Sequence, residues 1–220
     1  MQVQHRSNRV KGIIFDMDNT ILKSSIDFQG MKEETYRLLV KRGILPNHLP
    51  LAVHTTATII KTAIETKLMN QQLIDEMWEI PKRFETAGME FAELEAGVTE
   101  LLSELQGQYY LAIVTNNSIA AAVAALRGHH IFDYFNIVIG REYMNGMKPS
   151  PDGFHAVLDS YEHVPAREWL SVGDAWIDGA ASEAAGIPFV AYNADTEKMA
   201  QMGVRPIAHI HDIRELRQLL

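Results

Sequence analysis

The 220-residue chain contains no cysteine. Disulfides, thiol nucleophiles and cysteine-ligated zinc are therefore excluded, and the absence fits a reducing compartment. No basic run is present and the formal net charge is −8, so a nucleic-acid backbone is not an expected partner. An acidic protein can still hold a phosphorylated small molecule where positive charge is concentrated locally. No stretch approaches the ~18 apolar residues of a membrane span, so no membrane partner is expected. The start, MQVQHRSNRV, is polar, lacks the apolar segment of a secretory signal, and reads as a loose tail. The expected address is the cytoplasm. Internal repeats and low-complexity tracts are also missing; AAAVAAL is a good helix former.

What the chain does have is a core-forming composition, with 47% hydrophobic and 22% charged residues. That suits one large domain, or one domain carrying a smaller insert. Short apolar runs, VKGIIFD, YYLAIVT (109–115), FNIVIG (135–140), EWLSVGD (168–174) and IPFVAY (187–192), alternate with helical patterns. The helices are expected around 97–107, 117–128, 151–161, 176–186, 196–203 and 212–219. Strict alternation predicts parallel strands with helical crossovers, and continuous apolarity predicts their burial on both faces.

From about residue 22 to 94 the rhythm stops, and no convincing strand is offered. Ala57, Ile60, Ile64 and Leu68 recur at helical spacing, as do Leu73, Met77, Ile80 and Phe84. Met31 to Gly43 predicts an earlier helix, and Pro81 is expected to kink or split the later one. The predicted division is an α/β core of residues 1–21 and 95–220, with a helical insert of residues 22–94. The connections near 20–27 and 88–96 are candidate hinges, with Gly88 and Gly97 adding freedom.

Ligands of an open parallel sheet bind beyond the carboxyl ends of its strands. The first strand runs into DMDNT (Asp16 to Thr20) and the next into TNNS (Thr115 to Ser118). GMKPSPDGF brings Lys148 just ahead of a helix, and GDAWID supplies Asp174 and Asp178. Each piece has a plain structural explanation. Thr115 and Asn116 could cap a helix, Lys148 could be a surface lysine, and Asp174 and Asp178 could be a cap and a first-turn acid. Only the series of four, each at a strand end, points to chemistry.

The chemistry that suits this set is phosphoryl transfer. One carboxylate acts as nucleophile, and a second, two residues on, moves the protons. Two unit charges 4 Å apart repel by roughly 4 kcal/mol at an effective dielectric near 20, and a phosphate dianion adds to that. A hard divalent cation, Mg²⁺ being the usual one beside carboxylates and phosphate, relieves the repulsion. By contrast HIHD (His209 to Asp212) has no third ligand nearby and reads as structural. Lys61, Lys67, Lys82 and Arg83 read as solvated.

The four motifs together resemble the haloacid dehalogenase superfamily over almost the whole chain: DMDNT, TNNS, MKPSP and GDAWIDGAASEAAG. The helical insert after the first strand is similar to the phosphoglycolate phosphatase-like branch. The resemblance implies a Rossmann-like parallel sheet flanked by helices, with an inserted α-helical cap. It implies Asp16 as nucleophile, Asp18 as acid and base, and Thr115 and Lys148 on the phosphoryl group. Thr20 and Asn116 join them as substrate-binding candidates. It places Mg²⁺ on Asp16, the Asp18 backbone carbonyl and Asp174, with Asp178 supporting that site. Asn19 departs from the glycine of many relatives, which bears on turn geometry. The second aspartate, Asp18, argues against dehalogenase and phosphonate-cleaving activities. The expected activity is hydrolysis of a small phosphomonoester, phosphoglycolate-like or a sugar phosphate. A sugar-phosphate mutase and a non-catalytic binding protein are the alternatives.

Overall fold

The structure, a computed structural model, describes residues 10–220, so most of the polar start lies outside the described residues. In chain order the elements begin with β1 (Gly12–Phe15), β2 (Leu22–Lys23), α1 (Phe28–Lys41), α2 (Thr56–Glu65), α3 (Gln71–Met89) and β3 (Glu93–Leu94). There follow α4 (Val98–Leu105), β4 (Tyr110–Val114), α5 (Ile119–Gly128), β5 (Ile137–Ile139), α6 (Asp152–Ser160) and β6 (Trp169–Gly173). The last are α7 (Trp176–Ala184), β7 (Phe189–Tyr192), α8 (Thr196–Gln201) and β8 (Ala208–Ile210). The predicted terminal helix is a tight 3₁₀ segment, Ile213–Leu219.

Six strands form one sheet in the order β5-β4-β1-β6-β7-β8, and every pair is parallel. The expected α/β class is thereby observed. β1 is central because its four residues, GIIF, bury both of their faces. On one face Ile13 and Phe15 pack with Leu101, Leu102, Leu126 and Leu216 from α4, α5 and the last 3₁₀ segment. On the other, Ile14 and Ala112 pack with Phe154, Val157 and Ala181 from α6 and α7. The ends of β1, β4 and β6 are in register through Phe15↔Ile113 and Phe15↔Val172, so their C-terminal loops open onto one edge.

Between β1 and α4 the chain makes three helices around their own cluster, which includes Leu39, Ile59, Ile60, Ala63 and Met77. Three details differ from expectation. β2 and β3 pair antiparallel, Leu22↔Leu94 and Lys23↔Glu93, where no strand is predicted; two residues are too few to display an alternating pattern. Pro81 does not split the helix, since α3 runs through it as one element. Ile64 and Leu68 are exposed, because the buried stripe of α2 is Ala57, Ile59, Ile60 and Ala63 and the helix ends at Glu65.

Gly88 is a point of close approach. A Cβ there would lie 2.5 Å from the Ile26 backbone, and Ser25 N–H donates to the Gly88 carbonyl at 3.1 Å. The predicted freedom at this glycine is therefore a tight crossing of the two connections. Among the described residues no helix is long and apolar enough to cross a membrane.

Candidate active site

The loop after β1 begins with Asp16, whose N–H donates to the Val172 carbonyl of β6 at 2.9 Å. Asn19 then turns the chain back, with φ at +55° and its N–H on the Leu22 carbonyl at 2.6 Å. Asparagine tolerates this left-handed conformation better than most residues, so the turn forms without a glycine. The turn leaves Asp16 and Asp18 facing one cavity of about 440 Å³.

Lys148 is the hub of the site. Its Nζ lies 2.5 Å from Asp16 Oδ1, 2.7 Å from Asp178 Oδ1, and donates to the Val114 carbonyl at 2.8 Å. Although burial opposes its charge, Asp16 and Asp178 outweigh that and hold Lys148 above its ordinary value. Asn116 sets its position. The Asn116 Oδ1 accepts from Lys148 N–H at 2.8 Å, and Nδ2 donates to the Lys148 carbonyl at 3.0 Å. Asp178 also accepts from Ala175 N–H at 3.0 Å, capping α7 while it pairs with the lysine.

One lysine does not balance this much negative charge. Asp16, Asp174 and Asp178 offer carboxylate oxygens that all lie within 4.8 Å of one another. Burial pushes Asp16 well above the usual carboxylate range, and its three neighbouring aspartates add to the rise against the pull of Lys148. Burial likewise raises Asp174 to about 7, with Asp178 contributing. A dry cluster of oxygen donors that resists ionising fits a hard divalent cation. Asp18 stands apart: burial pushes it up to about 6, while Asn117 Nδ2 donates to its Oδ2 at 2.7 Å. Its other oxygen has no hydrogen-bond partner.

Thr115 lines the cavity and accepts from Asn117 N–H at 3.1 Å. Thr20 does not join the site. It is wholly buried, its hydroxyl has no partner, and it is absent from the cavity wall. The apolar residues on either side of it in the turn, Met17, Ile21 and Leu22, draw that position into the core. Asn116 lines the cavity, yet its side chain is held by the Lys148 backbone rather than left free for a substrate. The HIHD segment forms no metal cluster among the described residues: His211 faces Asn193 and Asp212 caps the final 3₁₀ segment. Lys61, Lys82 and Arg83 pair with Glu65, Glu79 and Glu34, and like Lys67 they lie outside the cavity wall.

Sequence reasoning missed a second ion pair. Glu85 of α3 meets the guanidinium of Arg141, which follows β5, and both line the cavity. Glu85 also accepts from Ser118 N–H at 3.3 Å, and Arg141 stacks over Trp78 at 5.0 Å. Asn117 was visible in TNNS without any sign of its bond to Asp18. Lys32 was not singled out either.

The sequence profile of the haloacid dehalogenase-like hydrolases matches residues 13–192. The chain belongs to that family. Within it, this hydrolase is 28% identical over 214 residues to a phosphoglycolate phosphatase of Rhodobacter capsulatus, covering 93% of this chain and 94% of the relative. A phosphoglycolate phosphatase of Vibrio cholerae is 26% identical over 185 residues, covering 80% and 81% of the two chains. Among solved structures, a HAD-superfamily hydrolase from Geobacter sulfurreducens superposes with a TM-score of 0.63 at 25% identity, covering 96% of this chain and all of that one.

Proposed function

We propose that the protein is a Mg²⁺-dependent phosphatase that hydrolyses a small phosphomonoester through a covalent aspartyl-phosphate on Asp16. The observation that carries this reading is the pairing of two unlike carboxylates on one turn. Asp16 sits in the acidic cluster against Lys148, where a bound cation would favour its ionised form, while Asp18, two residues on, lies outside that cluster and accepts from Asn117 Nδ2. Such a division separates a nucleophile from a proton carrier.

The Asp16 carboxylate attacks phosphorus and the ester P–O bond breaks. Asp18, protonated, gives its proton to the departing alkoxide. Asp18 then takes a proton from water as that water attacks phosphorus, the bond to Asp16 breaks, and inorganic phosphate is released. Lys148 and Thr115 bind phosphoryl oxygens, and Asn116 and Asp178 hold Lys148 in place. Asp16, the Asp18 carbonyl and Asp174 would hold the cation, with Asp178 beside them. Its contribution, when bound, is to offset charge on the phosphoryl oxygens. Residues 22–94 act as a cap over the site, since α1, α2 and α3 supply much of the cavity wall.

Asp16→Asn tests the assignment. Asparagine is nearly isosteric but too weak a nucleophile, so phosphate release should fall at least a hundredfold while the circular dichroism spectrum is unchanged. More than a few per cent of the wild-type rate would overturn the role of Asp16. Activity in chelator equal to that in Mg²⁺ would overturn the metal assignment.

A further inference from the structure

The hydrogen bond that orients Asp18 comes from Asn117, whose Nδ2 donates to Oδ2 at 2.7 Å while Oδ1 has no partner. Where Asp18 points therefore depends on where Asn117 stands. Asn117 is buried in the loop between β4 and α5, and its N–H donates to Thr115 Oγ1 at 3.1 Å. The peptide that joins Asn117 to Ser118 is gripped on both sides. Its carbonyl accepts from Arg141 N–H at 3.0 Å, and its N–H donates to Glu85 Oε2 at 3.3 Å. These grips form one unit, because Glu85 Oε1 faces the Arg141 guanidinium, which also reaches the Asn116 carbonyl at 3.5 Å.

Glu85 is not needed to finish the start of α5. Ser118 Oγ accepts from Ala121 N–H at 3.2 Å, and Glu142 accepts from Ile119 N–H at 2.8 Å. Both groups belong to the core, and they satisfy first-turn donors in the usual way. Net stability is also a weak reason for the buried pair, since apolar replacement of such a pair is often nearly neutral. Fixing one arrangement is a better one: a carboxylate shared between a guanidinium and a peptide N–H has a directional demand that carbon lacks. Trp78, earlier on α3, lies against the same guanidinium at 5.0 Å, so α3 holds Arg141 at two points.

We propose that Glu85 is a positioning residue of the reaction: with Arg141 it clamps the Asn117–Ser118 peptide and so aims Asn117 at Asp18. This rests on the phosphatase reading above and gives a residue of the insert a part in proton transfer. Lys148 keeps its own anchors on Asp178 and the Val114 carbonyl, so its hold on the phosphoryl group depends less on the clamp. Because Glu85 lies on α3, the clamp is complete only while α3 is seated beside α5.

The test uses Glu85→Leu combined with Arg141→Met, which removes the clamp without leaving the guanidinium behind. With Mg²⁺ present, kcat/KM is measured for phenyl phosphate and 4-nitrophenyl phosphate, two rings of similar shape. Nitrophenolate departs with little help from an acid, whereas phenolate draws on the proton of Asp18. Since kcat/KM covers the steps up to the aspartyl-phosphate, the later attack of water does not enter the comparison. The double variant should widen the 4-nitrophenyl-to-phenyl ratio about tenfold. Glu85→Gln, which keeps an oxygen for Ser118 N–H, should give a ratio between those of wild type and double variant. A wild-type ratio in the double variant, or a wider one in Glu85→Gln, would overturn the inference and leave the phosphatase reading standing. Exchange of the Asn117 side-chain amide protons, followed by NMR, separates the two readings. Faster exchange in the double variant supports the clamp on Asp18 even if the wild type hydrolyses neither ester, an outcome that defeats the phosphatase reading alone. Unchanged exchange overturns the inference.

Discussion

Replacing Glu85 by alanine should destabilise the protein far more than a typical helix substitution. The side chains of Glu85 and Arg141 are only 3% and 9% exposed, so their pairing takes place largely out of water. Alanine leaves the guanidinium over the Trp78 ring with only the half-exposed Glu142 carboxylate, 3.9 Å from Arg141 Nε, and removes the acceptor of Ser118 N–H. Breaking one side of a buried ion pair costs about 3–5 kcal/mol, because the stranded charge stays desolvated. Removing both charges is a different matter, since apolar replacement of a buried pair is often nearly neutral. Glu85→Ala should therefore lose about 3–5 kcal/mol in urea unfolding, whereas Glu85→Leu combined with Arg141→Met should lose under about 2 kcal/mol. Hydrogen exchange of α3 should quicken in the single variant and recover in the double. A loss below about 1 kcal/mol for the single variant, or simple additivity of the two changes, would refute the claim that this pair ties α3 to the core.

Two further outcomes are expected. With chelator present, Asp174 near 7 and Asp18 near 6 hold protons that the unfolded chain releases near pH 4. Their contribution to stability is complete below about pH 4 and is lost as pH rises through 6 to 7, by an amount of the order of 4 kcal/mol for Asp174 alone. Urea midpoints at pH 5 and pH 7.5 should show a decline that Asp174→Asn flattens and Mg²⁺ reverses; identical slopes in wild type and variant would contradict it. Separately, Gly12→Ala forces a methyl group to 2.4 Å from the wholly buried Trp169 ring. It should cost about 1–3 kcal/mol in the same assay, largely recovered by adding Trp169→Leu, and no loss would show that the ring can move aside.

Which features were legible in the chain follows from how local their causes are. GIIF announces a doubly buried strand because its own three apolar side chains carry the signal. The meeting of Asp16, Thr115, Lys148 and Asp174 at one cavity was legible because a parallel sheet directs its strand ends to one edge. Glu85 and Arg141 were not, since the two stand 56 positions apart and neither neighbourhood marks an acid for burial. Thr20 misled for the opposite reason. Its place in DMDNT suggested substrate, while the packing of Ile21 and Leu22 decided its direction. The short β2–β3 ribbon and the exposure of Ile64 and Leu68 depend on where elements stop, which periodicity locates poorly.

The central place of β1 also constrains how the chain is made. Gly12 has its sheet neighbours at Tyr110 and Trp169, so the strand leaves the ribosome roughly 100 residues before its first partner and still longer before its second. At 5–20 residues per second the wait for β4 is roughly 5–20 s. During that interval an apolar strand has both edges unpaired, which is the condition for adhesion between nascent chains. The helices of residues 28–89, held by nearer contacts, can form meanwhile. A segment that shapes the cavity in the finished protein can thus be folded before the strand that leads into Asp16 has met either of its sheet partners.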